Sequence, residues 1–171
     1  MTKSARSTKR RGIGVCWRCD NPDATYDDYL GHVQDEIMGH GWAIEFVEHD
    51  KRPLAYTVGL TDHGVPELLI TGLDVEVSHR VLHSIAHQII DDGVRLGPAT
   101  LIDYEDRFLI EVIEVDHPDV HLELAVRLCG NGIRALQLVW ADDRNRWPWD
   151  PRWGHGRRRQ PVLGSRPLRW T

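Results

Sequence analysis

Cys16 and Cys19 are the first side chains in this chain whose type and spacing could do chemistry. A two-residue gap lets two thiolates bind one tetrahedral zinc or form a redox pair. Zinc would need two further ligands, which His32, His40 or Cys129 could supply only through tertiary contact. A redox pair of the thioredoxin kind would sit after a strand at a helix start, whereas this one follows a basic arm. Plain packing is the favoured reading of the pair, and zinc, tying the N-terminal arm to the domain, is the cofactor it would hold.

His79, His83 and His87 recur every four residues and could chelate a metal in pairs from one side of a helix. No His-Glu-x-x-His pattern accompanies them, so solvated surface histidines are the favoured reading. Tyr56-Thr57-Val58-Gly59-Leu60 ends a strand-like run in a glycine, before a loop holding Asp62 and His63. Gly59 would permit a bulge or a close approach, and the hydroxyls of Tyr56 and Thr57, with Gln137, could face a ligand pocket. Farther on, Arg146-Trp147-Pro148-Trp149 interleaves guanidinium and indole groups. These could stack on nucleic-acid bases or pin a proline-rich strap by cation–π contacts. Burial of Trp140, Trp147 and Trp149 is expected, because four tryptophans within fifteen residues are costly to leave hydrated. Neither a Gly-x-Ser-x-Gly elbow nor a phosphate-binding loop occurs.

These groups sit in 171 residues, room for one core. Hydrophobic residues make up 41% and charged residues 27%, which excludes wholesale disorder. No apolar run reaches the roughly 20 residues that span a bilayer, and the basic start lacks the apolar stretch of a signal peptide. With three cysteines, a reducing cytoplasm and no membrane partner are expected. Net charge is −5 but uneven: residues 1–14 carry +5 and residues 144–171 carry +7, which leaves −17 on the middle. Basic ends either fold back on this acidic body or reach for a polyanion such as nucleic acid, and repulsion from the body favours the former.

Thr25 and Asp28 cap a helix over 25–39, and alternation over 42–48 and 54–60 predicts a hairpin. Residues 67–71 read as a central strand, and Asp74 caps a second helix that ends at Asp91-Asp92-Gly93. An extended piece at 100–102, a strand over 108–115, a third helix from Pro118 to Cys129 and a last strand over 133–140 complete the order. The prediction is an α+β single domain: a mixed, largely antiparallel sheet of about five strands, with about three helices on one face. Residues 1–14 are expected to be a disordered arm, 15–153 the domain with its Trp/Pro/Arg strap, and 154–171 a mobile basic tail.

Several segments occur together in one order: Cys16-x-x-Cys19, Asp28-Tyr29-Leu30, His40-Gly41-Trp42, Ala55 to Leu60, Pro66-Glu67-Leu68, Arg134 to Val139 and Arg146 to Trp149. In that combination the chain resembles a bacterial family, domain-of-unknown-function family 4262, from about residue 16 to Gly164. The resemblance implies a shared domain and no reaction. It makes the segments around Tyr56 and Trp147 the best candidates for a shared site, and the histidine series lies outside its pattern. Three functions stay open. The leading one is a small cytoplasmic accessory or ligand-binding protein with a structural zinc. The others are a metal-dependent enzyme with a pocket near Tyr56, Asp62, His63 and Gln137, and a nucleic-acid-associated protein acting through Arg10, Arg11 and Arg157 to Arg159.

Overall fold

A computed structural model of the chain describes residues 17–47, 53–156 and 160–166. Its first elements are a short helix α1 (Trp17–Asp20) and the longer α2 (Tyr26–His40). The Thr-x-x-Asp pattern acts as a capping box. Asp28 N–H donates to the Thr25 hydroxyl at 3.2 Å, and Thr25 N–H donates to the Asp28 carboxylate at 2.8 Å. Gly41 ends α2 at φ 88°, a left-handed backbone that glycine adopts without strain.

Strands β1 (Ala43–Val47) and β2 (Leu54–Val58) form the expected hairpin, with Glu45 directly opposite Tyr56. Next come β3 (Glu67–Thr71), antiparallel to β2, and α3 (Val75–Ile90), capped by the Asp74 side chain. After β4 (Leu101–Tyr104) and β5 (Phe108–Glu114), the chain forms α4 (Pro118–His121), α5 (Glu123–Cys129) and β6 (Ala135–Trp140). The sheet order is β1-β2-β3-β6-β5-β4, so two antiparallel meanders, β1-β2-β3 and β4-β5-β6, meet at one parallel seam between β3 and β6. The α+β class holds, with six strands rather than five.

Two expectations need correction. The helices cover both faces of the sheet. Ala55, Leu68, Ile70, Leu136 and Leu138 share a core with α3, while Tyr56, Val58, Leu69 and Ala135 share one with α2 and α5. The alternation of the strands supplies apolar side chains to both sides, which one helical layer could not cover. The third helix is interrupted at Leu122, whose backbone leaves the helical region (φ −111°, ψ 59°) and whose side chain is fully buried. Residues 160–166, expected within the basic tail, lie against the sheet. Gln160 pairs its amide with both backbone groups of Trp140 at 2.9 Å, and Thr71 Oγ1 and Gln137 Nε2 donate to the Pro161 carbonyl at 2.7 Å. Leu163 N–H donates to Gln137 Oε1 at 2.7 Å, and a Cβ on Gly164 would collide with the Glu114 carbonyl.

Of the tryptophans, Trp140 is buried, Trp147 is half-buried and Trp149 is 40% exposed. Trp42 and Trp153 are buried as well, Trp153 lying 5.0 Å from Trp140 between ring centroids. Among the described residues no helix is long and apolar enough to cross a membrane.

Candidate functional site

The two signature segments each close around one buried carboxylate. Glu67, which opens β3, accepts from Thr57 Oγ1 at 2.6 Å, Gly59 N–H at 3.0 Å, Thr61 N–H at 2.9 Å and Thr61 Oγ1 at 2.9 Å. Burial pushes its pKa up, opposed by these four donors. Thr57 Oγ1 also accepts from Leu68 N–H at 2.8 Å, so this hydroxyl is occupied within the fold. Gly59 is the close approach its sequence position allowed. At φ 112°, a Cβ there would stand 3.0 Å from the Gly41 carbonyl and 3.2 Å from Trp42 Cα. The approaching group is the chain's own α2–β1 corner. His63 meets the same corner, with Nε2 3.0 Å from the Gly41 carbonyl, and Asp62 stands beside it in the turn Leu60–His63.

Asp142 is the second carboxylate. It accepts from the N–H groups of Arg144, Arg146 and Gly154 at 2.9 to 3.0 Å and from Arg146 Nε at 2.9 Å. Burial alone would raise its pKa, but the Arg146 guanidinium and these backbone donors hold it well below the usual carboxylate range. Trp147 stacks on Trp149 at 5.5 Å and 11°, and Arg166 lies 4.5 Å over Trp149. Gln137 fastens the 160–163 strap, so Tyr56, Asp62, His63 and Gln137 occupy separate environments rather than one cleft.

Tyr56 does reach a cavity. A pocket of about 700 Å³ opens between α1, α2, α5 and the β1–β2 hairpin, lined among others by Arg18, Tyr26, Tyr29, Glu45, Tyr56 and Arg127. Leu124 N–H donates to the Tyr56 hydroxyl at 3.2 Å, so that hydroxyl accepts from the backbone and keeps its own proton to donate. Burial raises the Tyr56 pKa strongly, so the phenol stays neutral. Glu45 lies across the ladder on the same face. One of its oxygens is shut off from solvent and has no hydrogen-bond partner among the described residues. Burial pushes this carboxyl up to about 7, opposed only by the charge of Arg18. An unpaired polar atom of this kind costs free energy unless something answers it. Sequence reasoning missed Glu45 because alternation in Trp42 to Glu48 reads equally well as a solvated polar face. Its cross-strand position opposite a buried tyrosine was the signal available.

A second groove, of about 480 Å³, runs between the end of α2, the start of β1 and α3, lined by His40, Trp42, His79, His83 and His87 among others. The His79 and His83 rings stack at 5.8 Å, and His83 meets Trp42 edge-on at 5.2 Å. Burial, then the charge of His83, lowers the His79 pKa, with Glu36 opposing. Among the described residues no group of three or more His, Cys, Asp or Glu is placed to hold a metal ion. Cys16 lies outside the described residues, as do Arg10, Arg11 and Arg157 to Arg159, and Cys19 is placed only as backbone within α1. Burial pushes the Cys129 thiol up to about 11.

A family model described as a domain of unknown function, DUF4262, matches residues 36–154. That stretch holds Glu45, Tyr56, both buried carboxylates and Arg127, whereas Arg18, Tyr26 and Tyr29 precede it and the 160–166 strap follows it. Comparison with curated proteins gives no match, and neither does comparison with solved structures.

Proposed function

The chain belongs to the DUF4262 family of unknown function, and from that premise we propose that it is a small cytoplasmic ligand-binding protein whose site is the Glu45–Tyr56 pocket. The observation that carries this reading is a cavity of about 700 Å³ lined by Glu45, a carboxyl with one oxygen hidden and without a hydrogen-bond partner among the described residues. Pockets that hold small molecules fall in the range of roughly 300–1,000 Å³ and combine apolar walls with a few convergent polar groups. Here Val47, Leu54 and Leu124 supply the walls, and Glu45, Tyr56 and two arginines the polar groups. Thr57, Gly59, Arg146 and their neighbours support the site indirectly, by fixing the ends of β2 and β6.

Zinc at Cys16 and Cys19 enters this reading as a tether for α1. Trp17, between the two cysteines, stacks on His32 at 4.9 Å, which brings one candidate further ligand beside the motif. Reach toward nucleic acid through the basic ends receives no comparable support, because Trp149 already stacks with Trp147 and Arg166.

A thermal-shift screen of the full chain against small amines, carboxylates, amino acids and nucleosides tests the binding reading. A compound that raises the melting temperature of the natural chain and does so less in Glu45→Gln supports it. A panel in which nothing separates the two proteins sinks it. Metal analysis of the same preparation should find one zinc per chain, absent from Cys16→Ser.

A further inference from the structure

We propose that the Glu45–Tyr56 pocket takes a small carboxylate that also carries a hydrogen-bond donor, as an α-amino or α-hydroxy acid does, with Arg18 and Arg127 holding the carboxylate and Glu45 the donor. This rests on the ligand-binding reading and names the chemistry of that same site.

The arginines come from two different helices. Arg18, on α1, lies 5.4 Å over the Tyr29 ring, and Arg127, on α5, lies 5.1 Å over the Tyr26 ring. Tyr26 and Tyr29 are one turn apart on α2, with centroids 6.4 Å apart, so two aromatic faces side by side present two guanidiniums to one opening. Stacking on a ring occupies the face of a guanidinium and leaves its N–H edge free, and that edge matches a carboxylate with two parallel hydrogen bonds. Neither arginine forms an ion pair among the described residues. The ring contacts bias both toward the opening, which reduces the ordering cost of binding.

Glu45 fixes the direction of the ligand. A carboxylate at the floor repels a second one, so the anionic end belongs at the arginine rim and the donor end at Glu45. An ammonium or hydroxyl group there would meet the Glu45 carboxylate where it lines the pocket. Tyr56 stands across the ladder from Glu45, buried, with its hydroxyl accepting from Leu124 N–H. Glu123 is the opposing charge: it lines the pocket one turn before Arg127, and its carboxylate competes with the ligand's for that guanidinium.

The test is isothermal titration of the full chain with three matched sets: α-amino and α-hydroxy acids, the same carbon skeletons as plain carboxylic acids, and the same skeletons as plain amines. At least one member of the first set should bind with one-to-one stoichiometry. Its plain-acid and plain-amine counterparts should bind about tenfold more weakly or worse, the scale of one charge-assisted contact. Arg127→Gln and Glu45→Gln should each weaken binding by a similar factor, and Glu123→Gln should strengthen it. Arg127 is exposed, so its substitution is expected to leave the denaturation midpoint in place and report on binding alone. Amines that bind as tightly as amino acids, with no effect of Arg127→Gln, would overturn the carboxylate assignment and leave the pocket as a binding site. Failure of every amino and hydroxy acid at millimolar concentration would also overturn it, and the wider thermal-shift panel then decides whether the binding reading falls as well.

Discussion

Glu45 has an ordinary pKa of 4.5 and is raised by burial to about 7, so its charge state couples the pocket to pH. Below about 4.5 the carboxyl is protonated in folded and unfolded chains alike and costs nothing. Between the two values the unfolded chain releases the proton while the folded chain retains it, so stability falls as pH rises. Above about 7 the folded chain carries the full cost of a half-buried charge. Glu45→Gln removes that cost. The variant should match the natural chain near pH 4 and exceed its stability near pH 8 by about 1–2 kcal/mol, allowing for partial exposure and for Arg18. Urea denaturation at the two pH values measures the difference, and a pH-independent gap would show that the carboxyl is not desolvated. Glu67 differs because each of its oxygens has donors. Buried acids of these two kinds look alike in a sequence, since satisfaction depends on which backbone N–H groups a fold aims at them.

Among the elements, the β2 end and the α2–β1 corner form one joint at Gly59. A side chain there must accept φ 112° and displace the Gly41 carbonyl or Trp42, both backbone neighbours that cannot step aside. Gly59→Ala should therefore lower stability by about 2 kcal/mol or more, combining left-handed strain with overpacking. A denaturation midpoint within error of the natural chain would refute the joint. The two capped helices, the hairpin and the central β3 were legible because each rests on local rules: a capping box, period-two alternation, a continuous apolar run. The break at Leu122 was not, because Pro118 to Cys129 keeps helical spacing throughout and only the core decides that Leu122 turns inward. The pocket was half legible. Tyr56 stood out by its motif, whereas Arg18, Tyr26 and Arg127 come from elements whose meeting is a tertiary event.

At the level of the whole molecule, the C-terminal strap completes the sheet beyond the family-matched stretch. Without residues 160–166, Gln137 loses its bonds to Pro161 and Leu163, Thr71 its bond to Pro161 and the backbone of Trp140 its pair with Gln160, while Gln137 and Thr71 stay bonded to each other. A chain ending at Gly156 should be destabilised by about 3 kcal/mol or more, the scale of several buried groups left unsatisfied. One ending at Asp143 should lose more, because Trp153 and the donors around Asp142 go as well. Ending at Gly164 should cost least. A denaturation series on the three lengths checks the order, and a Gly156 chain as stable as the full one would show the strap to be dispensable.

The parallel seam sets how the chain must assemble. Each meander is built from consecutive strands, whereas β3 and β6 pair Glu67 with Ala135 and Leu69 with Gln137 across the whole second half of the fold. Non-local pairing of this kind is slow to form, so on refolding the two meanders can be complete while β3 and β6 still present bare edges. Those edges read Glu-Leu-Leu-Ile-Thr and Ala-Leu-Gln-Leu-Val-Trp, every residue buried in the finished sheet. Two chains caught at that stage can close each other's seams as readily as their own, and crowded refolding would then yield exchanged dimers and aggregates that dilution avoids.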